Sequence, residues 1–188
     1  MKKIAAILLA AVTAASSARA GGLIQSAGPR VGLVYVTDQY TRDQLVRLAR
    51  EKKPNADVSK VLTAFGWQFE YEYLNTTGGA TGLIEFVPVV VGMESGLALP
   101  SACLLIGVRF ANGLEIGFGP NVSTGVVEKV ENAGAPDEKI RYSPSAGVGM
   151  TGTLGITLRT GEMNFPINLA AVRNENGYRT SLMVGWTR

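Results

Sequence analysis

The chain has no histidine among its 188 residues and a single cysteine, Cys103. The first absence removes the commonest general base and metal ligand at neutral pH and leaves carboxylates as the remaining acid–base chemistry. The second excludes an internal disulfide, and Cys103, between Ala102 and Leu104, reads as a small packed residue. The apolar run from Ile4 to Ala15 falls short of the roughly 20 residues that a membrane-spanning helix needs. It follows Lys2-Lys3 and precedes the small-x-small triplet Ala18-Arg19-Ala20. That order is the pattern of a secretory leader over 1–20, with a single domain over 21–188. No cysteine follows the cleavage position, which argues against a lipid-anchored start. Lys2, Lys3 and Arg19, three of the 18 basic residues, fall in the leader and leave 15 against 15 acidic ones. The sequence pI of about 9.1 therefore belongs to the leader and is no signal for nucleic acid.

What the chain does have is alternation. After a polar lead from Gly21 to Arg30, period-two patterning predicts eight strands, at 31–37, 65–74, 83–92, 100–110, 114–120, 145–159, 163–172 and 178–187. It is cleanest in the second, where Phe65, Trp67, Phe69, Tyr71 and Tyr73 share one face and Gln68, Glu70 and Glu72 the other. The third is apolar on both faces around Val87, Val89, Val90 and Val91, as in a doubly buried strand, and must accommodate Pro88.

Ala111-Asn112-Gly113, Thr160-Gly161-Glu162 and Arg173 to Gly177 read as tight hairpin turns, and Asn75 to Thr81 as a short polar loop. Two connections are long, 38–64 and 121–144. The first is expected to hold a helix, with Thr41 and Gln44 as a capping pair, Leu45, Leu48 and Ala49 as its apolar stripe and Pro54 as its stop. The second, charged and rich in turn formers, is expected to be irregular. Both long connections are odd-numbered, so they fall on one side of an up-and-down barrel.

The polar strand face decides what surrounds such a barrel. A soluble one must solvate its outside with Lys, Glu and Asp, yet Lys52, Lys53, Lys60, Lys129 and Lys139 all lie in the two long connections. The polar face is mostly Gly, Ser, Thr and Asn, which suits a narrow interior. In that interior Glu70, Glu72, Glu85 and Glu115 are expected to pair with Arg109, Arg159 and Arg179, because a buried charge must be paired. Trp67, Tyr71, Tyr73, Tyr178 and Trp186 stand near strand ends, where interfacial girdles are found.

On strand number, alternation and loop asymmetry, residues 31–188 resemble the small eight-stranded outer-membrane barrels of the OmpA and OmpX type. The resemblance implies an integral barrel with a filled lumen, short periplasmic turns and external loops that carry whatever binding there is. The chain departs from that pattern twice. Its last strand runs past Trp186 to Thr187-Arg188, and Pro88, Pro100 and Pro166 each remove a ladder hydrogen bond.

Other motifs have plainer readings. Gly147 to Gly152 matches GxGxxG but lies within an alternating strand rather than between a strand and a helix, so its glycines are read as lining a crowded interior. Glu70 and Glu72 share a strand face but have no nucleophile or metal cluster beside them, so no enzymatic activity and no cofactor are expected. Asn75-Thr76-Thr77 and Asn121-Val122-Ser123 are weak glycosylation matches behind a bacterial-type leader. Arg42, Arg47, Arg50, Lys52 and Lys53 make the first long loop basic, suited to lipid headgroups or lipopolysaccharide phosphates. The sequence therefore predicts an all-β, up-and-down antiparallel barrel in a bacterial outer membrane, with a structural or interaction role. The alternative is a soluble periplasmic barrel that holds a lipid or other apolar ligand, with the aromatic stripe facing inward.

Overall fold

The computed structural model describes residues 25–52, 55, 57–131, 139–174 and 177–188. The expected leader, Lys53 and Pro54 lie outside them. Eight antiparallel strands pair with their sequence neighbours and close, β8 on β1, into an up-and-down barrel. The strands are β1 (Ser26–Val36), β2 (Val61–Asn75), β3 (Thr81–Val91), β4 (Leu99–Arg109), β5 (Leu114–Glu131), β6 (Lys139–Thr160), β7 (Met163–Asn174) and β8 (Gly177–Gly185). One helix, α1 (Gln39–Lys52), follows β1, and a 3-10 turn (Met93–Ser95) follows β3.

Two expectations about the connections need correction. The stretch 121–144 is largely strand: β5 and β6 stay in register from Leu114↔Ile156 to Glu131↔Lys139. Pairing of β5 to β4 ends at Ser123 and of β6 to β7 begins at Gly149, so the remainder is a two-stranded ribbon projecting beyond the wall. Lys129 and Lys139 thus do lie in strands, though on this ribbon and not in the barrel wall. The helix begins at Gln39, two residues before Thr41. Asp38 is its cap, accepting from Thr41 N at 2.8 Å and from Thr41 Oγ1 at 2.7 Å, which satisfies an otherwise orphaned first-turn amide. β1 also starts earlier than expected and takes in Arg30.

The prolines sit where the ladder already lapses. β2 and β3 pair at Gly66↔Val89 and next at Phe69↔Phe86, on either side of Pro88. β4 pairs β5 only from Ser101 onward, one residue past Pro100. β7 pairs β8 from Ile167, one residue past Pro166. The barrel therefore loses hydrogen bonds only at interruptions.

Helix α1 plugs the end of the barrel carrying the odd-numbered connections. Leu45, Leu48 and Ala49 pack on Val36, Leu62 and Leu99 in one buried apolar cluster. This explains the doubly apolar β3: Val89 and Val91 face the plug from inside, and Ile84, Phe86 and Val90 lie half-buried on the outside. Burying that cluster removes on the order of 2 kcal/mol of apolar exposure per large side chain, so the plug is part of the folded barrel rather than a loop laid over it. At the same rim Glu94, after β3, accepts from Thr63 N at 3.0 Å and from Thr63 Oγ1.

Candidate functional site in the barrel lumen

Alternation sends every second side chain of each strand inward, and toward the even-numbered turns those side chains are charged. Arg109, near the end of β4, is 2% exposed. It donates to both oxygens of Glu70 on β2, at 2.8 and 2.6 Å, and through Nε to Glu115 on β5. Glu72 lies 3.7 Å from its Nη1 and is partly exposed. The bidentate fork is the geometry in which arginine holds a carboxylate best. Glu70 also accepts from Gln68 Nε2 at 3.1 Å, and the same amide nitrogen donates to Glu85 on β3. Gln68 Oε1 accepts from Arg30, whose other nitrogen donates to the Pro166 carbonyl at 3.0 Å and to Asn168 Oδ1 at 3.4 Å. One hydrogen-bonded network thus joins β1, β2, β3, β4, β5 and β7 across the lumen.

Of the seven residues expected to form this network, Glu70, Glu85, Glu115 and Arg109 are buried in it and Glu72 stands at its edge. Arg159 shares the inward parity of Thr157 but is exposed at the rim, outside the network. Arg179 faces the lumen at the opposite end, where its Nη2 donates to Ser123 Oγ. Asn174 Nδ2 reaches the same hydroxyl at 2.6 Å. That contact spans from β7 to β5 across β6, where Gly147 and Gly149 present no side chain. The GxGxxG match is thus lumen wall at its first two glycines, whereas Gly152 has open space before it.

Sequence reading missed Arg30, Gln68 and Asn168 as members. Arg30 was lost because Pro29 placed it in the lead, although it shares parity with the inward Val34 and Val36. The two amides carry no charge to draw notice, yet Gln68 is the joint between the two halves of the network. Asn121 is 1% exposed inside the barrel, so its glycosylation match has no access.

Between the charged network and helix α1 lies a cavity of about 90 Å³. Arg30 and Glu85 line its floor, Val87, Val89 and Leu105 one wall, and Thr151, Ser181 and Arg179 the other side. Of the basic helix residues, Arg47 and Arg50 are exposed, and Arg42 is half-buried 4.0 Å from Asp57. Lys52 ends the helix.

Slight burial pushes Glu94 up, but the two hydrogen bonds from Thr63 outweigh it and hold the carboxyl below its usual range. A carboxylate depressed in the folded state stabilises above its unfolded pKa of about 4.3 and loses that contribution as pH falls through the lower folded value. Glu94→Gln is therefore expected to cost less than about 1 kcal/mol at pH 6, and less still at pH 3. Paired melting curves at the two pH values check this.

The outer face is the reverse of the lumen. Exposed apolar side chains stand on seven strands, among them Leu33, Phe65, Ile106, Phe118, Leu154, Leu169 and Leu182, and β3 adds its half-buried set. Among the described residues of this outward face between the rims, the charged side chain is Arg173, paired to Met150 near the odd end. Tyr35 and Tyr178 stand outward at the odd end; Trp67, Tyr71, Tyr73 and Trp186 stand outward toward the even end. Neither the scan against protein-family models nor the comparison with curated proteins gives a match for this chain.

Proposed function

We propose that this is a non-enzymatic outer-membrane barrel of the OmpA and OmpX kind. In this reading it is exported by the leader at 1–20 and acts structurally, or as an interaction protein, through what it presents at the external rim. The observation that carries the reading is the outer wall. An apolar surface that encloses a barrel, with Arg173 near the odd end as its charge among the described residues, far exceeds the few hundred Å² of contiguous apolar patch that a soluble monomer tolerates.

The aromatic residues support it. From Tyr178 to Trp186 the chain climbs about 27 Å, or about 20 Å along the barrel axis at a tilt of about 40°, comparable to the apolar band of roughly 25 Å between interfacial girdles. Short turns lie on the even side, and helix α1 and the β5–β6 ribbon on the odd side, which is the asymmetry of periplasmic turns and external loops. Arg47 and Arg50 then face the external headgroup region, where anionic lipid or lipopolysaccharide phosphate is the partner. With eight strands and a lumen filled by side chains, a general diffusion pore is not expected. The soluble alternative asks for the aromatic stripe of β2 to face inward, whereas Phe65, Trp67, Tyr71 and Tyr73 are exposed outside.

Fractionation of producing cells tests the location. The protein is expected in the outer-membrane fraction, extractable only by detergent, with different electrophoretic mobility before and after boiling. Soluble periplasmic protein without that shift would overturn the reading.

A further inference from the structure

We infer that the cleft between Trp67 and Trp186 on the outer wall seats one phospholipid with a zwitterionic, ammonium-bearing headgroup. The inference rests on the membrane reading above and names the class of lipid that the even end of the barrel selects.

The cleft is made where the barrel closes. β1 runs between the two tryptophans: Pro29 is in register with Trp67 on β2, and its carbonyl accepts from Trp186 N at 3.4 Å. The chain past β8 is then clamped on both sides. Thr187 exchanges two backbone hydrogen bonds with Asn164 on β7, and Arg188 exchanges two with Ala27 on β1. Gly28 permits the close approach, since a Cβ there would lie 1.8 Å from the Trp186 carbonyl oxygen. Pro29 shares the outward parity of the tryptophans, so a flat ring floors the gap between two larger indoles. The indoles spring from strands two spacings apart, about 10 Å. That leaves a slot for one acyl chain, at a contact distance of about 4 Å from each. The cleft holds about 430 Å³ of open space, within the roughly 300–1,000 Å³ of small-molecule sites.

Along the cleft the chemistry changes in the order in which a phospholipid presents it. At the turn end Arg188 Nη2 donates to Glu162 Oε2 at 2.5 Å, and the two side chains are 72% and 78% exposed. Next come Met163 and the tryptophans. Beyond them the wall is apolar, with Val31 between Phe65 and Val184. An exposed ion pair gains little from closing, so it opens readily to a headgroup. Arg188 then takes the phosphate, which its planar fork suits, and Glu162 with the indole faces takes the ammonium. One cation beside one anion selects a headgroup of zero net charge. An anionic headgroup without an ammonium satisfies Arg188 and leaves Glu162 facing a second negative charge.

The chain has two tryptophans and both wall the cleft, so its tryptophan emission reports on this site. The purified barrel, in an uncharged maltoside micelle, would be titrated with phosphatidylethanolamine or phosphatidylglycerol carrying the same brominated acyl chains. Phosphatidylethanolamine is expected to quench along a curve that saturates at one lipid per barrel, at about fivefold lower mole fraction than phosphatidylglycerol. Glu162→Gln is expected to bring the two curves within about twofold of each other. Arg188→Gln is expected to weaken both by at least about threefold. Each variant is expected to keep the heat-dependent electrophoretic shift; should one fail to fold, the ratio of the two lipids on the unaltered protein decides. Equal curves for the two lipids, quenching that rises without saturating, or a folded Glu162→Gln that keeps the preference would each overturn the site and leave the membrane barrel standing. Emission quenched by neither lipid would overturn both.

Discussion

Arg109→Met is expected to lower the unfolding free energy by about 3–5 kcal/mol, the cost of removing one partner from a buried ion cluster. Arg109 holds Glu70 in a two-pronged grip and Glu115 through Nε, with Glu70 1% and Glu115 5% exposed. Its loss leaves two carboxylates facing each other in the lumen. The desolvation they have undergone remains, and the compensation does not. The triple variant Arg109→Met, Glu70→Met, Glu115→Leu removes charge from both sides and is expected to recover most of the loss, since an apolar replacement of a buried ion cluster is often neutral or stabilising. Arg159→Met, at the exposed rim, is expected to stay within about 0.5 kcal/mol of the parent. Urea titrations of the four proteins, refolded into the same lipid, check the series. A cost for Arg109→Met no larger than that for Arg159→Met would mean that the lumen network is decorative.

The second large effect is on the opposite face. Leu104→Arg and Leu154→Arg, at mid-height on β4 and β6, are each expected to cost about 2–4 kcal/mol in a bilayer, and Tyr178→Arg at the rim about 0–1 kcal/mol. Leu104 and Leu154 are 47% and 52% exposed. In a water-soluble barrel such positions would tolerate arginine within about 0.5 kcal/mol. Depth dependence is thus what separates lipid from water outside the wall, and refolding titrations in bilayers of fixed thickness measure it directly. A flat response across the three positions would contradict a membrane environment.

How much of this was legible in the residues follows from what alternation encodes. Period two says which side chains share a face, so the outward set of β2 and the inward parity of Glu70, Glu85, Arg109 and Glu115 could be read from the sequence. It does not say where a strand stops. The ribbon of β5 and β6 was hidden because Glu128, Lys129, Glu131 and Lys139 look like a polar loop. A two-stranded ribbon clear of the wall can be polar on both faces, so the alternation lapses while the pairing continues. The helix cap was misplaced because Thr41 and Gln44 match a capping box in spacing, although the Asp38 carboxylate, three residues earlier, takes both hydrogen bonds from Thr41. Arg30 was hidden by its neighbour, since a proline at 29 reads as loop until the interruption beside β8 is seen. The cavity was not legible at all. Its lining comes from strands distant in sequence.

The chain has two tryptophans, and both stand on the outer wall, Trp67 40% and Trp186 49% exposed, on either side of Pro29. They make the most direct test of what surrounds the barrel. Unaltered protein would be reconstituted into vesicles whose acyl chains carry bromine either close to the headgroup or near the bilayer centre. A membrane barrel with an even-end girdle predicts blue-shifted tryptophan emission, quenched strongly by the shallow bromine and weakly by the deep one. Emission that neither lipid quenches would contradict it and place the apolar wall against something other than a bilayer.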